Sequence, residues 1–376
     1  MKALLFLSLL SISLISCNNS NSTPSRTTHI KQEELVKPPQ DSIIYSFVFT
    51  GCNRVDRGDQ QNTAATNASS ANVYVLKRIF EEVSAMERKP ELFFFLGDLV
   101  YAESTLDLLN SQLKAWVEQY KDENFSPIST SGIELVAVPG NHEMLSWADH
   151  NVSGHDEWPL KGATQVWMQY MAPYMPKDRV SITGQDSEVN QMTFSFTREN
   201  VAFVVMNTDT YNPPTAQNPW GLEGQIPTQW IISQVEKYKK DASIDHVFVL
   251  GHKPYYVSGT TQTGHEGLPE GPVLWPALNQ ADVVAMLSAH YHDYQRMQPG
   301  DKGTYQIIAG NGGSSGPAAF FGYTIINIMS SGKVELKAKG FKKGEPYYQA
   351  VPENPSLVQD STLLTNTKNA NPYKNF

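Results

Sequence analysis

Five times along this chain a short apolar run stops at a small residue and gives way to a polar or metal-binding one. Tyr45 to Thr50 ends at Gly51-Cys52, Leu92 to Leu96 at Gly97-Asp98, and Ile133 to Val138 leads to Gly140-Asn141. Val247 to Leu250 ends at Gly251-His252, and Val283 to Ser288 at Ala289-His290. Such runs are too short for helices and too uniformly apolar for half-exposed strands, so they read as buried strands of a parallel sheet. Between them lie helical patterns. Val73, Leu76, Ile79, Phe80 and Val83 share one face, and Thr105 to Tyr120 and Thr228 to Lys240 follow the same period. A hairpin is predicted around Arg198-Glu199-Asn200, and three further strands follow from Tyr305 to Phe341. Alternating strands and crossover helices predict an α/β layered fold, in which polar residues at the C-terminal ends of strands build the site.

The first residues are of another kind. Met1 to Cys17 carries one lysine and then an apolar stretch, and Leu14-Ile15-Ser16-Cys17 resembles a bacterial lipobox. The expectation is a lipoprotein signal peptide over 1–16, with lipidation at Cys17. A polar tether would follow over 17–41, rich in Asn, Ser, Thr and Pro, then a single domain over 42–345 and a polar tail over 346–376. The protein is expected at the cell envelope, exported and held at a membrane surface (outer membrane or periplasm-facing) by lipid alone. A net charge of −9 gives no basic footprint for nucleic acid, and the sequence implies no obligate protein partner.

The chain has two cysteines. With Cys17 lipidated, Cys52 has no disulfide partner. It reads either as a small buried hydrophobe or as a thiol occupied by a metal, which would explain its survival outside the cell. The other exits add Asp98 and Tyr101 in Gly-Asp-Leu-Val-Tyr, and Asn141, His142 and Glu143 in Gly-Asn-His-Glu. His252 follows in Gly-His-Lys-Pro, and His290 and His292 in Ala-His-Tyr-His. Singly, each is an ordinary turn or a satisfied histidine. In this order, each after an apolar strand, they resemble the calcineurin-like metallophosphoesterase superfamily, over roughly Tyr45 to Gly340. Tyr101, three residues after Asp98, is similar to the purple acid phosphatase branch. The departure is Cys52, where that branch has an aspartate. A cysteine there resembles the iron- and calcium-dependent bacterial alkaline phosphatases.

The resemblance implies a four-layer α-β-β-α sandwich of two mixed sheets flanked by helices, and two metal ions. Cys52, Asp98, Tyr101 and His292 would hold the first, with Asp98, Asn141, His252 and His290 holding the second and Asp98 bridging. Thiolate and phenolate suit Fe(III); the second site suits Zn, Fe(II) or Mn, and calcium is a further candidate. His142 takes the place of the general acid and Glu143 that of a group orienting His142 or Asn141. Arg54 and Asn141 would contact the substrate phosphate. The function implied is hydrolysis of phosphomonoesters by attack of a metal-activated hydroxide, with phosphodiesters as the alternative. A non-catalytic surface-binding lipoprotein on the same fold is the rival from another class. A long insertion from Glu143 to about Asp186 carries His150 and His155, read as rim residues. Trp147, Trp158 and Trp220 read as packing.

Overall fold

The computed structural model describes residues 41–365, apart from 57, 60–67, 103–104, 147–157, 183–191, 210–225, 259–264, 266, 350–351 and 353–354. The signal peptide and Cys17 lie outside the described residues, as do the tether up to Gln40, Trp147, His150, His155 and Trp220. Two sheets dominate. The first runs β15-β14-β13-β1-β2-β3. Its strands are β1 (Ile43–Thr50), β2 (Leu92–Leu96), β3 (Glu134–Val138), β13 (Phe320–Met329), β14 (Val334–Lys342) and β15 (Leu357–Leu364). The second runs β11-β12-β10-β9-β8-β7-β6. It holds β6 (Val180–Ser181), β7 (Phe194–Arg198), β8 (Val201–Met206), β9 (His246–Gly251), β10 (Ala285–Ser288), β11 (Tyr294–Met297) and β12 (Tyr305–Ala309). A small ribbon pairs β4 (Leu145–Ser146) with β5 (Trp158–Pro159).

Both sheets are mixed. β1, β2 and β3 are parallel, as are β8, β9, β10 and β12. The remaining pairs are antiparallel, including the β7–β8 hairpin around Glu199, whose φ is +51°. The parallel strands are buried on both faces, as their uniform apolar runs require. Between the sheets, Phe47 meets Phe203 and Phe248 edge-on at ring separations of 5.1 Å, and Phe94 packs on Phe203 at the same distance. Each such buried ring contributes about 1.5–3 kcal/mol through the area it removes from water.

Helices cover the outer faces. On the first sheet lie α1 (Val73–Ser84) and α2 (Leu106–Lys121), which bury Ile79, Phe80, Leu113 and Trp116. The Asn72 and Thr105 side chains cap these helices by accepting the Val75 and Leu108 N–H groups. A one-turn α3 (Asn141–Met144) follows β3, and α4 (Ala163–Met171) packs on α2. The second sheet is covered by α5 (Thr228–Lys240) and α6 (Gly271–Gln280). The architecture is the four-layer α-β-β-α sandwich expected from the sequence.

The C-terminal segment does more than a loose tail would. β15 forms the edge of the first sheet, and its Asp360 accepts hydrogen bonds from Arg296 Nε and Tyr294 Oη of β11, both at 2.7 Å. The two sheets are therefore clasped along one side. No helix among the described residues is long and apolar enough to cross a membrane.

Candidate metal centre

Parallel strands present their C-terminal ends on one side. The two sheets bring seven such ends together: β1, β2 and β3 from one, β8, β9, β10 and β12 from the other. The exits are locked to each other through the backbone. Cys52 N–H donates to Gly97 O, Asn53 N–H to Asp98 O, and Ala289 N–H to His252 O, at 2.9–3.0 Å. Three residues at these exits sit in the left-handed region: Cys52 and Asp98 at φ +56° and His290 at +63°. Non-glycine residues rarely adopt this conformation, and its cost is characteristic of sites that must aim a side chain. Glycines make the approach feasible. A Cβ on Gly140 would run into the Asp98 carboxylate, and one on Gly97, at φ +84°, into the His252 ring.

The donors converge. One ligand atom each from Cys52, Asp98 and His252 lie within 4.8 Å of one another, all buried. His252 Nδ1 is 2.7 Å from Leu96 O, so this nitrogen donates to that carbonyl and Nε2 is the one that points into the cluster. That Nε2 faces Asn141 Oδ1 at 3.0 Å, Asp98 Oδ1 at 3.3 Å and His290 Nδ1 at 3.2 Å. His290 Nδ1 also lies 3.1 Å from Asn141 Oδ1. Lone pairs crowded in this way repel unless a cation stands among them, so Asp98, Asn141, His252 and His290 fit a metal ion. The Cys52 sulfur accepts the His290 N–H at 3.1 Å. His292 donates through Nδ1 to the Ser315 carbonyl, leaving Nε2 buried with no hydrogen-bond partner, as is His290 Nε2. His252 and His292, each anchored by Nδ1 to a backbone carbonyl, are set up to ligate through Nε2.

Electrostatics agree. Burial is the main reason that His290 and His292 are held well below the usual imidazole range; His252 beside the first and Arg54 beside the second add to it. Both are thus neutral and able to coordinate. Burial, and then the Asp98 carboxylate, push the Cys52 thiol well up, against the pull of Arg54 and the His290 N–H. A thiolate at this place calls for a cation to stabilise it.

The remaining candidates surround this cluster. His142 N–H lies 3.3 Å from Asp98 Oδ1, and its Nδ1 is 3.0 Å from Tyr101 O. Burial and Arg54 hold its pKa well below the usual range. The Tyr101 ring packs against the His142 ring at 4.9 Å and under the Arg54 guanidinium at 5.4 Å. Arg54 Nε is 3.5 Å from Asp98 Oδ2. Burial disfavours its charge, but Asp98 and Asp56 outweigh this and raise its pKa.

Glu143, expected to orient His142 or Asn141, instead grips backbone. Oε2 accepts the Asp98 and Gly140 N–H groups at 3.0 and 2.7 Å, and Oε1 accepts the Val100 N–H at 3.0 Å. It ties the β2 and β3 exits together.

Two features escaped the sequence reading. His265 lies with its ring 5.0 Å from His290 and 4.9 Å from His292. Asp209, at the β8 exit, is fully buried; its Oδ1 pairs with Lys253 Nζ at 2.8 Å, and the Lys253 N–H donates to Thr208 Oγ1. The Gly-flanked His265 and the polar stop after Val201 to Met206 were the available signals.

The family model for calcineurin-like phosphoesterases matches residues 58–294, a stretch that begins after Cys52. No curated protein sequence matches the chain. Among solved structures, GAP50, the anchor in the inner membrane complex of Plasmodium, aligns with a TM-score of 0.51 at 15% identity, over 87% of this chain and 90% of its own. PhoD aligns with a TM-score of 0.53 at 11% identity, over 86% of this chain and 70% of its own. At such identities these likenesses show the fold.

Proposed function

The chain belongs to the calcineurin-like phosphoesterase family, and from that premise we propose that it is a dinuclear phosphomonoesterase similar to the purple acid phosphatases, with Cys52 as a thiolate ligand. It is a metal-dependent phosphoesterase, and its buried cysteine, aspartate and histidine cluster could bind metal. The observation that carries the finer reading is the convergence of lone-pair donors from both sheets: Cys52 and Asp98 from one, His252 and His290 from the other, with Asn141 between them. Cys52, Asp98, Tyr101 and His292 would hold Fe(III), and Asp98, Asn141, His252 and His290 would hold Zn, Fe(II), Mn or calcium. When bound, the two cations supply the Lewis acidity that activates water and gathers charge on phosphoryl oxygens.

The chain's own groups do the rest. The Arg54 guanidinium, lying along the Tyr101 ring and beside Asp98, is placed to take a phosphate oxygen. Asn141 offers its amide from the neighbouring exit. His142 hands a proton from Nε2 to the leaving oxygen, its ring held by the Nδ1 contact with the Tyr101 carbonyl. Burial and Arg54 disfavour the protonated ring in the free site, so the proton it donates is taken up from solvent, and the negative charge of a bound phosphate ester favours that uptake. Glu143 keeps the Asp98 and Gly140 backbones in register. The lipobox-like segment ending at Cys17 supports a tethered enzyme at the cell envelope, acting on external phosphate esters.

The test is turnover of p-nitrophenyl phosphate and of a panel of monoesters and diesters by metal-reconstituted protein. Asp98→Ala, Asn141→Ala and His290→Ala should each nearly abolish turnover while the far-UV spectrum persists. Near-normal rates in any of them would refute the assignment.

A further inference from the structure

Behind Arg54 lies a layer of contacts that the phosphatase reading leaves unused. Arg54 is 7% exposed, and its flat guanidinium is bounded on three sides. Nη1 pairs with Asp56 Oδ1, Nε faces Asp98 at 3.5 Å, and the Tyr101 ring lies below. The Asp56 side chain is 37% exposed, much more open than the guanidinium it pairs with. Its second oxygen, Oδ2, accepts the Ser315 hydroxyl, and the Ser315 carbonyl accepts from His292 Nδ1. The Asp56 backbone is pinned as well: its N–H donates to Tyr347 Oη at 3.1 Å. Tyr347 is anchored in turn by Asn72 Nδ2, which donates to its carbonyl at 3.0 Å, and by the Phe321 ring.

We infer that Asp56 is a positioning residue for phosphate binding: it holds Arg54 in the rotamer that presents the guanidinium beside Asp98. The inference rests on the reading of Arg54 as the phosphate contact. It also has an unusual sign. By Coulomb's law alone a carboxylate near an anion site weakens anion binding. A carboxylate that fixes a flexible cation strengthens it, because the ordering is complete before the ligand arrives. Removing Asp56 therefore separates the two roles by direction.

The experiment titrates the metal-loaded full chain with inorganic phosphate by calorimetry, in wild type, Arg54→Ala, Asp56→Ala and the double variant. Each single variant should weaken phosphate binding about tenfold or more. The double variant should be no weaker than Arg54→Ala alone, because Asp56 acts only through Arg54. Metal content should be equal in all four, and with p-nitrophenyl phosphate Asp56→Ala should raise KM more than it lowers kcat. Unchanged or tighter phosphate binding by Asp56→Ala would overturn the inference, as would a full Asp56 effect persisting without Arg54. Metal loss in Asp56→Ala would overturn it too, by routing the effect through Ser315 and His292, and so would a wild type that binds no phosphate. A wild type that binds phosphate but hydrolyses no ester refutes the phosphatase reading instead, and the titration still decides the role of Asp56.

Discussion

Glu143 offers the sharpest test of how the site is built. Its carboxylate is fully buried and accepts three backbone N–H groups, from Asp98, Val100 and Gly140. Burial, and then the Asp98 charge, raise its pKa, and the three amides oppose that rise. Glu143→Ala removes every acceptor at once and orphans three buried donors. Each orphaned donor costs roughly 1–3 kcal/mol, so the variant should lose about 3–9 kcal/mol, the lower end if water enters the space. Glu143→Gln keeps the shape and one acceptor oxygen. Placed at the Oε2 position, that oxygen still serves Asp98 and Gly140, and only Val100 faces an amide N–H; the loss should be about 1–3 kcal/mol. Equilibrium urea unfolding, with and without added metal, measures both. The exits of β2 and β3 should also part in the alanine variant, so metal binding should fall together with stability. A loss under about 1 kcal/mol with wild-type metal content would refute the claim that Glu143 holds the site together.

Other perturbations read different parts of the molecule. Gly140→Ala, whose Cβ would strike the Asp98 carboxylate, should abolish metal binding more completely than it lowers stability, as elemental analysis against unfolding will show. Cys52→Asp should retain part of the iron and turnover and shift the visible absorption, whereas Cys52→Ala should lose more of both; the reverse order would mark Cys52 as a mere buried hydrophobe, since an unpaired buried carboxylate is costly. Asp360 is held below the usual carboxylate range: burial opposes this, and hydrogen bonds from Arg296 and Tyr294 outweigh it. A carboxylate depressed in the folded state adds stability that is present above its unfolded pKa, near 4, and lost as pH falls below it. Asp360→Asn should therefore flatten stability below about pH 4. It should also cost about 3 kcal/mol at neutral pH by stranding the buried Arg296, and an unchanged unfolding midpoint at pH 7 would contradict this.

The sheets were legible because their central strands are local apolar runs such as Leu92 to Leu96, which need no partner to be recognised. The ligand-bearing exits were legible because each polar residue interrupts such a run. β15 was not, since an edge strand buries little: Leu357 and Val358 are exposed, and Gln359, Asp360 and Ser361 carry no apolar alternation. The left-handed backbone at Cys52, Asp98 and His290 belongs to exits packed closely together, as Gly97 is on Gly140 and Gly51 on Ala289, and no local pattern announces it. Glu143 gave away its neighbourhood but not its partners, because amides of another strand are invisible along the chain. His265 and Asp209 stand in polar stretches where one titratable residue resembles the next. Only the fold brings them against His290 and Lys253.

The central claim is that strand ends from two sheets assemble a centre for two metal ions bridged by Asp98. Elemental analysis of purified protein, beside that of Asp98→Ala, tests it most directly. Two metal equivalents per chain, iron among them, falling to none or nearly none in the variant, is the predicted result. Protein that carries no metal after growth with ample iron and zinc, and gains neither metal nor hydrolysis when they are added, would contradict it.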